Sequence, residues 1–556
     1  MRALGPVQTA ARGLSLAVFL VVAALRPCHA EVELTAVPLS ARWPGAIEPR
    51  ALQLACSRDV GELQGFFTHE RRPFRTGLVR RTSGQACHVF YRPSVPGFRA
   101  APDDDPITEI LFDTDPLLYL ATAPRNRGEP VGAMREILRR IPRPLAVGIL
   151  IHRVHDAAAY ETATLRNFGD TPHRITLVDR TLERNFWWVQ DYLKAGSSSR
   201  GPTILVPRRI FEGSPKTGEL FEPLLARLSQ QDRVVRSQLS WEGGDLQFTR
   251  DPRDGRQLVL YYGNSAKPYW AERLTQQEFE YVLSLEFGAD QAVDLSGLAP
   301  HVDYVVSFLP RERVVLVGVP ASADLRVARA AVATLLARFG RHEPTSLVEL
   351  RDELAAPIPD QSRVRRLLER ARQQQTAWQL AVDPGLEQRV RSAVAAACPE
   401  AKDCFSVTNQ LRMLDADPAA FEEWIHATQS ARYEPAIMSA HLDLVESQLD
   451  PVPARLRLLT LEKMAELERI GFRVIQVPAF RVDLFAKRDW PGISYVNALV
   501  VDQQVFVPRF GLGAVEDELF REVGAQLPPG YSMVPIDAQQ VLIRNGGLHC
   551  LAGLVR

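Results

Sequence analysis

Four short stretches of the sequence place ionisable side chains beside apolar, strand-like runs. They are NFWWVQDYLKAG with Asp191, LSWEGGDLQF with Glu242 and Asp245, PHVDYVVSFLP with His301 and Asp303, and the terminal NGGLHC with Cys550. Each stretch alone is a weak signal, because similar patterns occur in cores, in hairpins and on surfaces. Together they supply complementary parts of one reaction.

The reaction that these residue types suit is nucleophilic attack on a guanidinium. Two aspartates from different strands can accept hydrogen bonds in the plane of that flat cation. A thiolate over the guanidinium carbon can then attack, once a nearby positive charge or donor lowers the thiol pKa from about 8.5. His301 can serve as acid and then base, because an unperturbed imidazole has a pKa of about 6.5. Asp303, two residues later on a presumed strand, should project to the same side as His301.

Other chemistries for these residues stay open. A metal site built from His301, Asp303 and His549 would leave Cys550 without a role. A cysteine protease or acyltransferase also uses cysteine and histidine, but it has no need for two aspartates and a glutamate. A non-catalytic binding protein on the same fold is a further alternative. His549 is expected to be structural, since it points away from Cys550 if the segment is extended.

The order of these motifs resembles the guanidino-group modifying (pentein) superfamily, which includes the arginine, agmatine and protein-arginine deiminases. The stretches SYVNALVVDQQVFVPRFG and NGGLHC are similar to agmatine deiminases. WVQD, which lacks a following Gly-Pro, and HVDYVVSFLP look closer to protein-arginine deiminases. The resemblance covers about residues 145–318 and 455–556.

This resemblance implies a role for each residue. Cys550 would be the nucleophile that forms a thiouronium intermediate, and His301 would protonate the departing ammonia and then activate water. Asp191 and Asp303 would bind the guanidinium, and Glu242 would support His301. Further candidates for substrate binding are Asp245 and Asn497. The superfamily's chemistry needs no metal or other cofactor. Animal protein-arginine deiminases depend on calcium, but their ligands cannot be mapped onto this chain, so calcium dependence stays open.

The elements that must position these residues alternate between strand and helix. LAVGILIHR, AAAYETATLRNFG and RITLVD read as strand, helix and strand, which is typical of an α/β fold. Similar units follow at GPTILVPRR with FEPLLARLSQQ and VVRSQLSW, and at LEKMAELERIG with FRVIQVPAF. The resemblance implies a pseudo-fivefold α/β propeller of such units around a central polar site.

Composition shifts divide the chain further. We predict a signal peptide at 1–30, a β-rich or irregular lead-in region at 31–144, the first part of the propeller at 145–321, a helical insertion at 322–451 and the second part of the propeller at 452–556. In the insertion, apolar residues recur at helical spacing, as with Val364, Leu367, Leu368 and Ala371. Its arginines alternate with acids, which indicates solvated helix faces.

Charge and the N-terminus limit the partners and the location. The 556-residue chain has a formal net charge of zero, which gives no sign of a nucleic-acid-binding field. Arg2 and Arg12 precede the apolar run LSLAVFLVVAAL, with small residues at Cys28 and Ala30. We predict a signal cleaved near Ala30 and a secreted or periplasmic protein. An uncleaved anchor is the alternative, but a membrane span needs about 20 residues and this run is shorter.

Cleavage of the signal would leave five of the six cysteines. Cys56 with Cys87, and Cys398 with Cys404, are candidates for two local disulfides in an exported protein. Separately buried thiols are the alternative for each pair. Cys550 is then the odd thiol.

The sequence therefore predicts an exported hydrolase that converts a guanidinium to a ureido group with release of ammonia. The predicted substrate is arginine in a peptide or protein, which the export signal and the WVQD motif favour. A deiminase of agmatine or free arginine is the alternative. No nucleic-acid partner and no membrane span after cleavage are expected, and the sequence does not indicate an oligomeric state.

Overall fold

The computed structural model describes residues 32–36, 50–103, 105–113, 130–152, 157–180, 189–208, 233–263, 274–299, 301–309, 311–322, 324–339, 345–382, 435–481, 491–542 and 546–556. The predicted signal peptide, Cys398, Cys404 and the predicted helix at 221–231 lie outside them. Two compact units contain the described residues: the first falls within Met1–Pro93 and Trp270–Val282, and the second within Ser94–Tyr269 and Leu283–Arg556.

The strands, in chain order, are β1 Glu33–Ala36, β2 Leu52–Ser57, β3 Arg80–Thr82, β4 Gln85–Tyr91, β5 Arg99–Ala100, β6 Glu109–Asp113, β7 Ala146–His152, β8 Arg174–Arg180, β9 Lys194–Ser198, β10 Gly201–Val206, β11 Arg233–Arg236, β12 Leu246–Arg250, β13 Leu258–Tyr262, β14 Gln291–Asp294, β15 Val306–Leu309, β16 Val314–Ala321, β17 Arg473–Arg481, β18 Pro491–Ser494, β19 Leu499–Val501, β20 Gln504–Arg509, β21 Ser532–Asp537 and β22 Ala552–Val555. The α-helices are α1 Val60–His69, α2 Pro130–Arg140, α3 Ala157–Phe168, α4 Gln276–Phe287, α5 Leu325–Phe339, α6 Thr345–Ala355, α7 Gln361–Val382, α8 Ala454–Ile470, α9 Ala514–Gly524, α10 Gln539–Leu542 and α11 Leu548–Leu551.

The first unit contains an antiparallel sheet in the order β1-β2-β4-β3. Helix α1 begins after Asp59, whose carboxylate accepts a hydrogen bond from the Gly61 amide at 3.0 Å and so satisfies one free donor of the first turn. The buried face of α1 packs with aromatic residues of β4. Cys56 and Cys87 are opposite each other on β2 and β4, and a disulfide joins them.

The second unit repeats one strand pattern in five sheets. In each, two antiparallel strands are followed by a third that runs parallel to the second: β9-β10-β11, β12-β13-β14, β15-β16-β17, β19-β20-β21 and β22-β6-β7. Parallel neighbours need a crossover connection. Helices α2, α4, α8 and α9 lie in four of these crossovers. The alternation read from the sequence is therefore a structural repeat, and the fold is mixed α/β.

The fifth of these sheets combines the two ends of the second unit. β22 pairs antiparallel with β6, with Ala552 opposite Phe112 and Val555 opposite Glu109. The described residues between Ser94 and residue 144 therefore belong to the second unit, whereas the predicted lead-in region included them. The difference arises because β22, the antiparallel partner of β6, lies more than 400 residues away in the sequence. A pairing over that distance cannot be predicted from local sequence patterns.

The region predicted as a helical insertion is helical where the structure describes it. It contains α5, α6, α7 and a further helical stretch at 435–447. The predicted apolar stripe is confirmed as a buried face, since Val364, Leu367, Leu368 and Ala371 are at most 2% exposed. These residues share a core with side chains of β16 and β17. Within the described ranges, no helix has the length and apolarity to cross a membrane.

Candidate active site

The predicted site residues lie in short turns, each placed just before the first strand of a sheet. Asp191 is in the 3₁₀ turn Val189–Tyr192, which precedes β9. Glu242 directly precedes the turn Gly243–Asp245, which ends at Asp245 and leads into β12. His301 directly precedes the turn Val302–Tyr304, which contains Asp303 and leads into β15.

The prediction that His301 and Asp303 share a strand is therefore wrong. The backbone folds into a 3₁₀ turn, in which the Val305 amide donates to the Val302 carbonyl at 2.8 Å, and β15 starts only at Val306. The tight turn, and not strand alternation, brings the two side chains into the same site.

The remaining two sheets contribute in the same way. Asn497 lies two residues before β19, and Cys550 lies in α11, which leads directly into β22. Each of the five sheets thus supplies at least one predicted site residue from the turn before its first strand. This repeated placement is the structural reason that residues hundreds of positions apart in sequence meet.

Cys550 is a free, buried thiol with two polar neighbours. Its Sγ lies 3.2 Å from Asp303 Oδ2, to which the protonated thiol donates. The Asn497 amide donates to the same sulfur at 3.0 Å. The Asn497 Oδ1 also accepts from the backbone amides of His549 at 3.1 Å and Cys550 at 3.3 Å. Asn497 therefore fixes both the sulfur and the helical turn that contains it.

His549 contacts the site instead of pointing away from it. Its Nδ1 lies 3.0 Å from Asp303 Oδ2, the oxygen that also faces the Cys550 sulfur. The expectation that it points away rested on an extended segment, but Leu548–Leu551 is a helical turn. Successive side chains on such a turn are only about 100° apart, so His549 and Cys550 can both reach one carboxylate.

His301 lies between two carboxylates. Its Nε2 is 2.6 Å from Glu242 Oε2, and its Nδ1 is 3.8 Å from Asp191 Oδ1. Burial disfavours the charged ring, but Asp191 and Glu242 more than offset it and raise the pKa of His301 well above its ordinary value. The surroundings therefore favour the protonated ring, which has a proton to donate.

Burial and negative charge also raise the pKa of two other groups in the site, Asp191 and Cys550. Desolvation raises the pKa of Asp191 to about 7, with Glu242 and Asp303 adding to the rise and His301 opposing it. Desolvation, with the charges of Asp303 and Asp191, raises the pKa of the Cys550 thiol well above its ordinary value. Without a bound cation the sulfur is a neutral thiol, whereas the sequence analysis expected a positive charge to lower its pKa.

Asp303 has one carboxylate oxygen left over. Its Oδ2 faces Cys550 and His549, but Oδ1 is buried and has no hydrogen-bond partner among the described residues. A buried, unpaired carboxylate oxygen is costly, by roughly 1–3 kcal/mol or more for a charged group. A ligand with N–H donors would remove that cost, so this oxygen marks where a cationic donor can bind.

Gly244 lies at the centre of the cluster. A β-carbon at this position would lie 2.8 Å from His301 Nδ1, 2.9 Å from Asp191 Oδ1 and 3.0 Å from Asp303 Oδ2. Its backbone amide also donates to Asp191 Oδ1 at 2.8 Å. Only glycine leaves room here for the imidazole and the two carboxylates to converge.

Asp245 is also fully buried. A β-carbon on Gly263 would lie 2.1 Å from Asp245 Oδ1, so this oxygen is packed against the backbone at the end of β13. Two further buried polar residues are Gln190, within the Asp191 turn, and Lys194, two residues after it; neither was predicted from the sequence. The available signal was the lysine that opens the strand KAGSS, three residues after a candidate aspartate.

The described part of the chain contains no group of three histidine, cysteine, aspartate or glutamate side chains arranged to hold a metal ion. The geometry instead brings together a thiol, an imidazolium and two carboxylates, the groups needed to bind a cation and attack it.

Residues 444–553, which include Asn497 and Cys550, match the family model of the Porphyromonas-type peptidyl-arginine deiminases. The resemblance to the guanidino-group modifying superfamily is confirmed. Over this segment the chain is similar to deiminases, which are hydrolases that act on C–N bonds in amidines.

Individual relatives cover different shares of the chain. A "Putative agmatine deiminase" of Legionella pneumophila (strain Paris) is 36% identical over 59 residues, which is 11% of this chain and 17% of that relative's length. The structure of the agmatine deiminase of C. jejuni is 12% identical to this chain and superposes with a TM-score of 0.44. The alignment covers 82% of this chain and 96% of the C. jejuni chain. The agmatine deiminase structure of Enterococcus faecalis is 13% identical and superposes with a TM-score of 0.41. That alignment covers 83% of this chain and 96% of the E. faecalis chain.

Proposed function

We propose that this protein is a guanidino-group deiminase, which hydrolyses a guanidinium to a ureido group and ammonia. The observation that carries the proposal is the buried Oδ1 of Asp303, which has no partner among the described residues and lies on the carboxylate that faces the Cys550 sulfur. A planar cation with several N–H donors can satisfy that oxygen and lie beside the sulfur at once.

Asp191 and Asp303 bind the guanidinium in this proposal. Asp191 must be ionised to do so, and the arriving positive charge favours its ionised form. The same cation favours the Cys550 thiolate, which burial and the aspartates otherwise suppress. The nucleophile is therefore formed when the substrate binds, which protects the buried thiol from other electrophiles. Asp245 is a further proposed substrate-binding residue, from the side of the site near Gly263.

The first half of the reaction breaks a C–N bond. As the substrate binds, the Cys550 thiol releases its proton to solvent. The resulting thiolate attacks the guanidinium carbon and forms a C–S bond, while the Asn497 amide donates a hydrogen bond to the sulfur and holds its direction. His301 gives its proton to one nitrogen, which leaves as ammonia. The substrate carbon remains attached to Cys550 as a thiouronium group, and Glu242 holds the imidazole in place through Nε2.

The second half restores the thiol. His301, now neutral, takes a proton from a water molecule, whose oxygen attacks the thiouronium carbon. The C–S bond breaks, the ureido product leaves and Cys550 is regenerated. No metal or other cofactor takes part in these steps.

A small guanidine such as agmatine is the substrate that the curated relatives favour, because they bear the name agmatine deiminase. Arginine in a peptide is the second candidate. The family model that matches residues 444–553 is named for peptidyl-arginine, and the predicted signal peptide would place the enzyme outside the cytoplasm, where peptide substrates occur. Secretion or a periplasmic location remains part of this proposal, as does closure of the five sheets into a pseudo-fivefold propeller.

The test is a turnover assay of the full-length protein and Cys550→Ser with agmatine, free arginine and an acetylated arginine peptide, each followed by ammonia and ureido product. Release of both products from at least one substrate, lost in C550S, supports deimination. Turnover of the peptide alone assigns the second candidate. If the wild-type protein leaves all three unchanged, the enzymatic proposal fails and the binding-protein alternative gains support.

A further inference from the structure

A buried lysine lies behind the guanidinium-binding aspartates. Lys194 opens β9, three residues after Asp191, and only 6% of the residue is exposed. A lysine is almost never buried to this extent without partners, because its charge is costly to remove from water. None of the catalytic steps above uses this residue.

Gln190, the polar partner of Lys194, links the turn of Asp191 to the strand that follows Cys550. With its amide oriented to satisfy both atoms, Gln190 accepts from Lys194 Nζ at 2.8 Å and donates to the Ala552 carbonyl at 2.9 Å. Ala552 is two residues beyond Cys550, at the start of β22. Gln190 also packs its carbonyl against Gly243, where a β-carbon would lie only 1.9 Å away. Lys194 and Gln190 thus connect the turn of Asp191 to the strand that follows the nucleophile.

The charges around Lys194 come from several elements. Asp103, Asp303 and Asp191 attract its ammonium group, while Arg556 repels it. Asp103 is itself held by the Phe248 amide at 3.0 Å and lies 3.6 Å from Arg556. The ammonium also lies 5.8 Å from the centre of the Phe248 ring. Burial outweighs the attraction and lowers the pKa of Lys194 to about 8.

We propose that Lys194 is a positioning residue of the guanidinium site: it acts through Gln190 to hold the Asp191 turn against β22, and its ammonium group attracts the Asp191 carboxylate. The proposal deepens the proposed function and rests on it for its catalytic consequence. The charge effect follows from symmetry, because the attraction that favours the charged lysine equally favours the charged aspartate.

Three substitutions separate the two effects. Lys194→Met removes both the charge and the hydrogen bond, Lys194→Gln removes the charge but keeps a polar group able to bond Gln190, and Lys194→Arg keeps the charge. Lys463→Met is the matched control, since Lys463 is a partly buried lysine on α8 whose Nζ donates to the Asp294 carbonyl at 2.7 Å. Lys463 has no part in the proposed reaction.

The first measurement needs no substrate. Thermal midpoints are measured for K194Q, D191N and the double variant at pH 7.5 and pH 5. If Lys194 stabilises ionised Asp191, the two substitutions are non-additive at pH 7.5 and additive at pH 5, where Asp191 is protonated. Additivity at both pH values overturns the charge effect. K463M with D191N should be additive throughout.

The second measurement is the pH dependence of kcat/KM for whichever guanidine the wild-type enzyme turns over. The acidic limb reports ionisation of Asp191, and its midpoint should rise by about half a pH unit to one unit in K194M and K194Q, since a nearby positive charge is lost. K194R should restore the wild-type midpoint, and K463M should not move it. A uniform loss at every pH without a shift would reduce Lys194 to a structural residue.

The two measurements keep the proposals distinct. An inactive wild-type protein defeats the proposed function, while the thermal cycle still decides whether Lys194 and Asp191 interact. An active wild-type protein with additive thermal effects and coincident pH profiles defeats the assignment of Lys194 alone.

Discussion

Two buried carboxylates in the second unit, Glu516 and Asp303, differ in the hydrogen bonds that their oxygens accept. Glu516 Oε1 accepts from the Tyr495 hydroxyl at 2.9 Å and the Phe510 amide at 2.6 Å, and Oε2 accepts from the amides of Gly511 at 2.9 Å and Leu512 at 2.8 Å. Asp303 is equally buried, yet one of its oxygens has no partner among the described residues. Both oxygens of the Glu516 carboxylate accept hydrogen bonds from the protein. The Asp303 carboxylate keeps one buried oxygen available to accept a hydrogen bond from a ligand.

This difference separates a structural site from a site with a function. Satisfying every lone pair of a buried carboxylate stabilises the fold and orders the loop around it. Leaving an oxygen unpaired destabilises the folded state and is expected only where a ligand or reaction requires it. Substitutions at the two sites should therefore affect different measurements.

The largest effect is expected from Asp303→Asn. This change keeps the shape of the side chain but removes the charge that binds the guanidinium, and kcat/KM should fall by roughly 10³-fold or more. Turnover is measured beside the thermal midpoint, which should stay the same or rise. Activity within tenfold of wild type would contradict the role given to Asp303.

Glu242→Gln should reduce kcat by about 10²-fold and change the pH profile. Glu242 helps raise the pKa of His301, so its loss lowers that pKa. Because the protonated imidazole is the acid for ammonia release, the alkaline limb of kcat should move to lower pH. An alkaline limb at an unchanged pH would assign that ionisation to another group.

Glu516→Gln is the matched change at the structural carboxylate. It replaces an acceptor-only group with one that carries an N–H donor pair facing backbone amides, and should destabilise the fold by about 2 kcal/mol. The free energy of unfolding is measured by denaturant titration and kcat on the folded enzyme. A loss of kcat comparable to that of D303N, with unchanged stability, would remove the distinction between the two sites.

The smallest effect is expected from Asp191→Asn on stability. Burial raises the pKa of Asp191 to about 7, so its contribution to stability is fully present below its unfolded pKa near 3.8 and is lost as pH rises through 7. The neutral asparagine avoids this loss. Differential scanning calorimetry should show the thermal midpoint of D191N above wild type by a few degrees at pH 8 and close to it at pH 4. A midpoint difference that does not depend on pH would contradict the burial account.

The sequence predicted residues that the structure places close together, because the residue types needed for such chemistry can be read without knowing the fold. The acids, His301 and Cys550 each stand next to an apolar strand, and the odd thiol in a chain with paired cysteines pointed to Cys550. The α/β alternation was equally local, as in LAVGILIHR and RITLVD, which form β7 and β8.

Long-range pairing and turn geometry were beyond that reading. The antiparallel partner of β6 is the C-terminal strand β22, so the boundary of the second unit could not be located from composition. The helical turn at Leu548–Leu551 brings His549 to Asp303, and the orientation of a single residue beside a nucleophile depends on that turn. Lys194 was missed because a lone lysine at the start of a strand looks exposed until its neighbours are known.

The most direct test of the account is acid quenching of the full-length enzyme during turnover, followed by digestion and peptide mass spectrometry. The account predicts that the peptide containing Cys550 carries the substrate less one ammonia, that this adduct disappears as substrate is consumed, and that C550S never forms it. Ureido product released by the wild-type enzyme and by C550S alike, with no adduct on Cys550, would contradict it.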